Sequence, residues 1–209
     1  MGKVLIGASA AVLRREVDDF FMRRDSVWQT MERVTRRLTE QGIEHAIIGG
    51  MAVVLHGFVR VTGDVDLLTT REGLDKIHER LVGLGYVPMF QGARKALRDT
   101  TTGVKVEFIT TGEYPGDGKP KPVRFPDPRD VTVERDGFPV IPVPKLIELK
   151  LASGLDVAHR LRDLADVQDL IRALKLPREL GDQLDPSVRD GYIRMWDAAQ
   201  TPDAHEQGG

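Results

Sequence analysis

The sequence predicts an α/β (α+β) fold: a small mixed β-sheet flanked by helices and followed by a C-terminal helical segment. Three features predict it. Short apolar or alternating runs at 45–48, 64–69 and 104–109 carry strand period and are separated by stretches of helical period. Gly42, Gly85 and the Asp136-Gly137 pair fall where such runs end. Pro142 and Pro144 then open a long stretch whose apolar residues recur only at helical spacing. The expected organisation is a core over residues 1–143, including N-terminal helices, and a helical domain over 144–209 packed on it.

Before Asp25, apolar pairs mixed with charges suggest one short helix around Ala11 to Phe21. Ser26 with Gln29 resembles a capping box. Val27, Met31, Val34 and Leu38 then make one apolar helix face, closed by Gly42. Arg33, Arg36 and Arg37 lie on the other face, read as solvated rather than RNA-binding. The run His45 to Ile48 reads as a strand buried on both sides. A helix from Met51 to His56 follows, then a loop through Arg60 and Thr62, then a strand from Asp64 to Thr69. Leu74, Ile77, Leu81 and Leu84 predict a helix ended by Gly85.

Tyr86 to Phe90 and Lys95 to Asp99 read as strands, and Thr101-Thr102-Gly103 turns the chain into Val104 to Ile109. There Val104, Val106 and Phe108 share one face while Lys105 and Glu107 share the other, the pattern of a sheet with one working face. Residues 111–129 are Pro- and Gly-rich and without period, a loop long enough to be functional or mobile. Its Lys119, Lys121, Arg124 and Arg129 are candidate acceptor contacts. Residues 131–141 read as a hairpin around Asp136-Gly137. Helix then starts at Pro144 and continues through Leu161, Leu164, Val167, Leu170, Ile171 and Leu174, with further helix at 180–184 and 188–199. The last eight residues are expected to be disordered. There is no internal repeat.

With 41% hydrophobic and 30% charged residues in 209, the composition is that of an ordinary globular chain. A net charge of −2, from 30 basic and 32 acidic residues, demands no polyanionic partner overall. There is no cysteine, which excludes disulfides and thiolate metal sites and fits a reducing cytoplasm. No apolar run approaches the roughly 20 residues of a membrane span, so no membrane partner is expected. The apolar part of Met1 to Ile6 is too short for a signal peptide. The histidines lack zinc spacing, and neither a P-loop nor a dinucleotide fingerprint occurs. Trp28 and Trp196 sit in helical stretches as packing residues.

One stretch stands apart. Ile47-Ile48-Gly49-Gly50-Met51-Ala52 reads as a buried strand, a glycine pair and a helix start, and Asp64-Val65-Asp66 begins fourteen residues after Gly50. The glycines let backbone N–H groups approach an anion at a helix start. Asp64 and Asp66, at i and i+2 on a strand, point to the same face. A phosphate cradle beside paired carboxylates suits a metal-bound nucleoside triphosphate.

Gly49-Gly50-Met51-Ala52 followed by Arg60-Val61-Thr62-Gly63-Asp64-Val65-Asp66 resembles the signature of the nucleotidyltransferase superfamily that includes DNA polymerase beta. Its small prokaryotic AbiEii-like branch is the nearest in pattern. The resemblance implies a nucleotidyltransferase core with a third acid on a later strand, assigned to Glu107, where most relatives have Asp. It implies Mg²⁺ or Mn²⁺ held by Asp64, Asp66 and Glu107 in a two-metal arrangement, with Glu107 also a candidate general base. It implies a nucleoside triphosphate as substrate, its phosphates held by Gly49, Gly50 and Met51 and reached by Arg60. Many members carry Ser after the first glycine; with Gly50 there, a hydroxyl contact to phosphate is missing.

A second stretch, Lys150-Leu151-Ala152 leading to Arg162-Asp163-Leu164-Ala165-Asp166, resembles one that follows the core in the AbiEii-like branch. It makes Lys150 a candidate phosphate contact. The alternative is that Asp163 and Asp166 pair with Lys150, Arg160 or Arg162 to fix the helical tail. The activity implied is transfer of a nucleoside monophosphate onto an acceptor hydroxyl of RNA (a tRNA, for instance), protein or a small molecule. A toxin with an antitoxin partner is within the resemblance. An inactive nucleotide- or partner-binding module of the same fold is the alternative function.

Overall fold

A computed structural model of the chain describes residues 25–201. The helix expected around 11–21 and the disorder expected for the last eight residues lie outside them. The chain groups into two compact units. One takes the described chain up to Leu55, Val59–Thr111 and Pro126–Ile141; the other takes His56–Phe58, Gly112–Phe125 and the described chain from Pro142. The units are thus interleaved in sequence, with 56–58 and 112–125 grouped with the helices.

In the first unit, helix α1 spans Ser26–Glu40. Its N-cap is Asp25, one residue before the expected Ser26, because the Asp25 carboxylate accepts the Trp28 N–H at 2.9 Å. Gly42, at φ +61°, closes it: its N–H bonds Thr39 O and the Ile43 N–H bonds Leu38 O, a Schellman pair. Val27, Trp28, Met31, Val34 and Leu38 are buried. On the outer face Arg33 reaches Asp99 at 3.5 Å, and Arg37 bonds Leu84 O and lies over the Tyr86 ring. These two arginines therefore serve packing.

The sheet is mixed and seven-stranded, as the predicted fold class requires. It runs through β1 (His45–Ile48), β2 (Asp64–Thr69), β3 (Tyr86–Pro88), β4 (Ala96–Asp99), β5 (Lys105–Thr110), β6 (Val133–Arg135) and β7 (Phe138–Val140). Their spatial order is β3-β4-β5-β2-β1-β7-β6. The β2–β5 and β1–β7 pairs are parallel and the others antiparallel. All of β1 is buried, as its apolar run predicts. His45 lies there with Nδ1 2.8 Å from Ile43 O, and burial lowers its pKa below the ordinary histidine value.

Helix α2 (Gly49–Leu55) starts at the glycines, two residues before the expected Met51. Helix α3 (Arg71–Leu81) is capped by the Thr70 hydroxyl. It stops at Leu81 because Val82 is extended and Gly83 turns at φ +81°, so Leu84, expected within it, is exposed. A short turn of helix, α4 (Pro128–Val131), precedes the β6–β7 hairpin, whose turn is Asp136-Gly137 with both φ positive.

The second unit contains α5 (Val143–Gly154), α6 (Leu161–Leu174) and α7 (Pro186–Ala199), with short 3₁₀ segments at Ala158–Arg160 and Arg178–Gln183. The stretch expected as helix at 180–184 is therefore 3₁₀. Helix α5 packs on α6 and α6 on α7. Val167, Leu170 and Ile171 form the buried stripe of α6. Tyr192 donates to Pro177 O at 2.8 Å and Trp196 Nε1 to Leu176 O at 2.9 Å, which ties α7 to the preceding turn. The long loop is closed at its neck, where the Gly112 N–H bonds Phe125 O and the Phe125 N–H bonds Glu113 O, each at 2.8 Å.

Candidate functional site

The parallel register of β2 and β5 pairs Asp64 with Lys105 and Asp66 with Glu107. Asp64 and Asp66 alternate with the fully buried Val65 and Leu67, and Lys105 and Glu107 with Val106 and Phe108. The apolar set fixes the strands against the core, and the four charged side chains are left together on the other face. On β4, Arg98 pairs with Lys105 and extends that face. Thr62 Oγ1 donates to Asp64 Oδ1 at 3.4 Å.

The glycine pair and the acids, separate in sequence, meet here. Gly49 has φ +62°, and a Cβ built on it would lie 2.0 Å from Asp66 Oδ2. The Asp66 carboxylate thus occupies the space that a side chain at 49 would need, and only glycine suits both the backbone and the contact. At Gly50 a Cβ would lie 2.6 Å from Thr62 Oγ1 and 2.8 Å from Arg60 Nη2. A hydroxyl and a guanidinium therefore stand over Gly50, where Ser in related patterns would place its own hydroxyl. Met51, expected at the phosphates, is fully buried, backbone included, and Gly50 is buried as well.

Lys105 is the residue that sequence reading left out of the site. Its ammonium bonds Glu107 Oε2 and lies 3.6 Å from Asp64 Oδ2. Burial works against its charge, but the Glu107 hydrogen bond and the charges of Glu107, Asp64 and Asp66 outweigh it and hold the lysine pKa above its ordinary value. Its place on the working face was visible from alternation. Its position between two acids was not, because that depends on the β2–β5 register.

The donor set bears on the expected metal. Two carboxylates with triphosphate oxygens suffice for Mg²⁺, which keeps several waters, so Asp64 and Asp66 suit one ion. Among the described residues no group of three His, Asp or Glu side chains is arranged to hold a metal ion, and the Lys105 ammonium stands between Asp64 and Glu107.

Lys150, expected at the phosphates, lies on α5 in the second unit. Its Nζ is 3.0 Å from Asp163 Oδ1 and 2.7 Å from Asp166 Oδ2. Ser153 Oγ donates to the other Asp163 oxygen at 2.7 Å, and Arg162 Nε is 3.4 Å from Asp166 Oδ1. This is the pairing named above as the alternative. The loop cations are also engaged: Lys121 with Asp117 and Asp156, Lys119 with Asp117, Arg124 over the Tyr114 ring, and Arg129 with Asp127.

No protein-family profile matches the chain, and no curated protein matches it. Solved structures do. A Thermotoga maritima protein described as a nucleotidyltransferase shares 22% identity over 66% of this chain and 91% of its own, with a TM-score of 0.46. An antigenic nucleotidyltransferase-like protein of Paracoccidioides brasiliensis shares 15%, over 80% and 91%, at 0.46. JHP933 of Helicobacter pylori shares 14%, over 95% and 84%, at 0.44.

Proposed function

We propose that the chain transfers a nucleoside monophosphate from a nucleoside triphosphate to an acceptor hydroxyl. The observation that supports this best is the seating of Asp66 in the space left by Gly49, which makes the glycine pair and the acid pair one site. Asp64 and Asp66 would hold one Mg²⁺ or Mn²⁺, which when bound supplies positive charge to the triphosphate oxygens. Helix α2 has only seven residues, so its dipole alone would hold phosphates weakly. The Arg60 guanidinium above Gly50 therefore carries the larger share, aided by the Thr62 hydroxyl.

In the reaction the acceptor oxygen bonds the α-phosphorus, and the bond from that phosphorus to the bridging oxygen of the leaving pyrophosphate breaks. The hydroxyl proton goes to Glu107, the carboxylate next to Asp66 in register. The acceptor is a hydroxyl of RNA, protein or a small molecule, and a toxin that modifies RNA, held by an antitoxin, is one form the activity would take.

The test is label transfer from each α-labelled triphosphate to total RNA and cell protein, with Mg²⁺ or Mn²⁺, beside the Asp64→Asn/Asp66→Asn double variant. Label on a macromolecule, lost in the variant, is expected. Equal labelling by the variant would refute the assignment. Triphosphate binding without transfer to these or to small hydroxyl acceptors would leave a binding module.

A further inference from the structure

The working face has more acid than one ion needs, and part of that acid is already neutralised. Asp64 and Glu107 share the Lys105 ammonium, and Asp66 stands beside Glu107 in register. The arrangement is built into the strands. Lys105 and Glu107 are i and i+2 on one face of β5, and the buried Val106 between them faces the opposite side. The parallel register then sets Asp64 directly beside Lys105. The side chains of Lys105, Asp64 and Glu107 are 25%, 30% and 41% exposed, so the ammonium is partly shielded yet within reach of a bound substrate.

We infer that Lys105 is the resident cation of this face, held between Asp64 and Glu107, so that the site takes one divalent ion rather than two. For what the cation does, the inference rests on the transfer reading above. An ammonium beside the attacking oxygen lowers the cost of its developing negative charge, as a second ion would. Glu107 then serves as anchor for Lys105 and proton acceptor, and is no metal ligand. An ammonium also repels a divalent ion, so the two cations compete for the same acids.

The experiment is a Mn²⁺ titration of the full chain without nucleotide, followed by the electron paramagnetic resonance signal of free Mn²⁺. Wild type, Lys105→Met, Lys105→Gln and Lys105→Arg are compared, with circular dichroism as the check on folding. The Met and Gln variants remove the ammonium from beside Asp64 and Glu107 and are expected to bind Mn²⁺ at least about tenfold more tightly or to take a second ion. Lys105→Arg keeps wild-type binding. Unchanged Mn²⁺ affinity and number in both neutral variants, or two tight ions in wild type, would overturn the inference. Thermal stabilisation of wild type by a triphosphate is read separately. Its absence with the Mn²⁺ result as expected would remove the transfer reading and leave Lys105 as the resident cation. Its presence with two ions in wild type would do the reverse.

Discussion

On the sheet, Lys105 meets Asp64 and Glu107 with a quarter or more of each side chain exposed. In the helical unit, Lys150 meets Asp163 and Asp166 with exposures of 7%, 20% and 0%. The two clusters have similar composition: one ammonium, two carboxylates, and a hydroxyl within hydrogen-bond reach of one acid, Thr62 on Asp64 and Ser153 on Asp163. Their surroundings set them apart. Water screens the first, so its members contribute little to stability and remain accessible to a ligand. The second is nearly dry, and removing one partner there leaves a buried charge less compensated. Composition alone does not separate a site from a structural knot; burial and completeness of pairing do.

The largest effect should come from breaking the buried cluster. Lys150→Met takes the ammonium 2.7 Å from the fully buried Asp166 away, and a loss of about 3 kcal/mol is expected. Urea unfolding measures it. The matching change on the sheet, Lys105→Met, should cost about 1 kcal/mol or less, because its partners are partly solvated. Equal losses in the two variants would erase the distinction drawn here.

A middle-sized effect is expected at Gly49, and Gly42 serves as its control. Both have φ near +60°, so a side chain at either costs about 1–2 kcal/mol of backbone strain. Around Gly42 there is nothing within 4 Å of a built Cβ, whereas at Gly49 it would meet Asp66. Gly49→Ala should therefore lose more stability than Gly42→Ala by thermal denaturation, and only Gly49→Ala should lose triphosphate binding. Wild-type affinity in Gly49→Ala would separate the glycine from the site.

How much of this was legible in the sequence varies with the range of the cause. The bounds of β1 and β2 could be read directly from the local sequence. Short-range competition moved other limits: Asp25 outdid Ser26 as the cap, and Gly83 ended α3 before Leu84. Asp64 and Asp66 were legible as a pair, since strand period alone puts them on one face. What pairs with them was not. The neighbours Lys105 and Glu107 come from the β2–β5 register, and the contact of Gly49 with Asp66 from the turn between β1 and α2. The cations of 111–129 looked available in sequence because their partners, such as Asp156 for Lys121, are distant or lie in the loop's own turns.

The smallest expected effect is one of pH, and it has opposite signs in the two clusters. In the helical unit burial tends to raise the Asp163 pKa, but the Lys150 charge, the hydrogen bonds from Ser153 and Lys150, and the Arg160 charge outweigh it and hold the carboxyl below its ordinary 3.8. A carboxyl with a lower pKa folded than unfolded contributes stability that is fully present above the unfolded value. That contribution is lost as the pH falls through the folded one. On the sheet the shifted group is Lys105, whose pKa is raised above 10.5, so its contribution is present below that value and lost as the pH climbs through the folded one. Unfolding free energies of wild type and Asp163→Asn should therefore differ by a constant amount from neutral pH down to about 4 and converge below it, where wild type alone loses this term. A constant gap between wild type and Asp163→Asn down to the lowest pH at which both still fold would show that the buried lysine does not hold Asp163 ionised, and the contrast between the two clusters would then reduce to exposure alone.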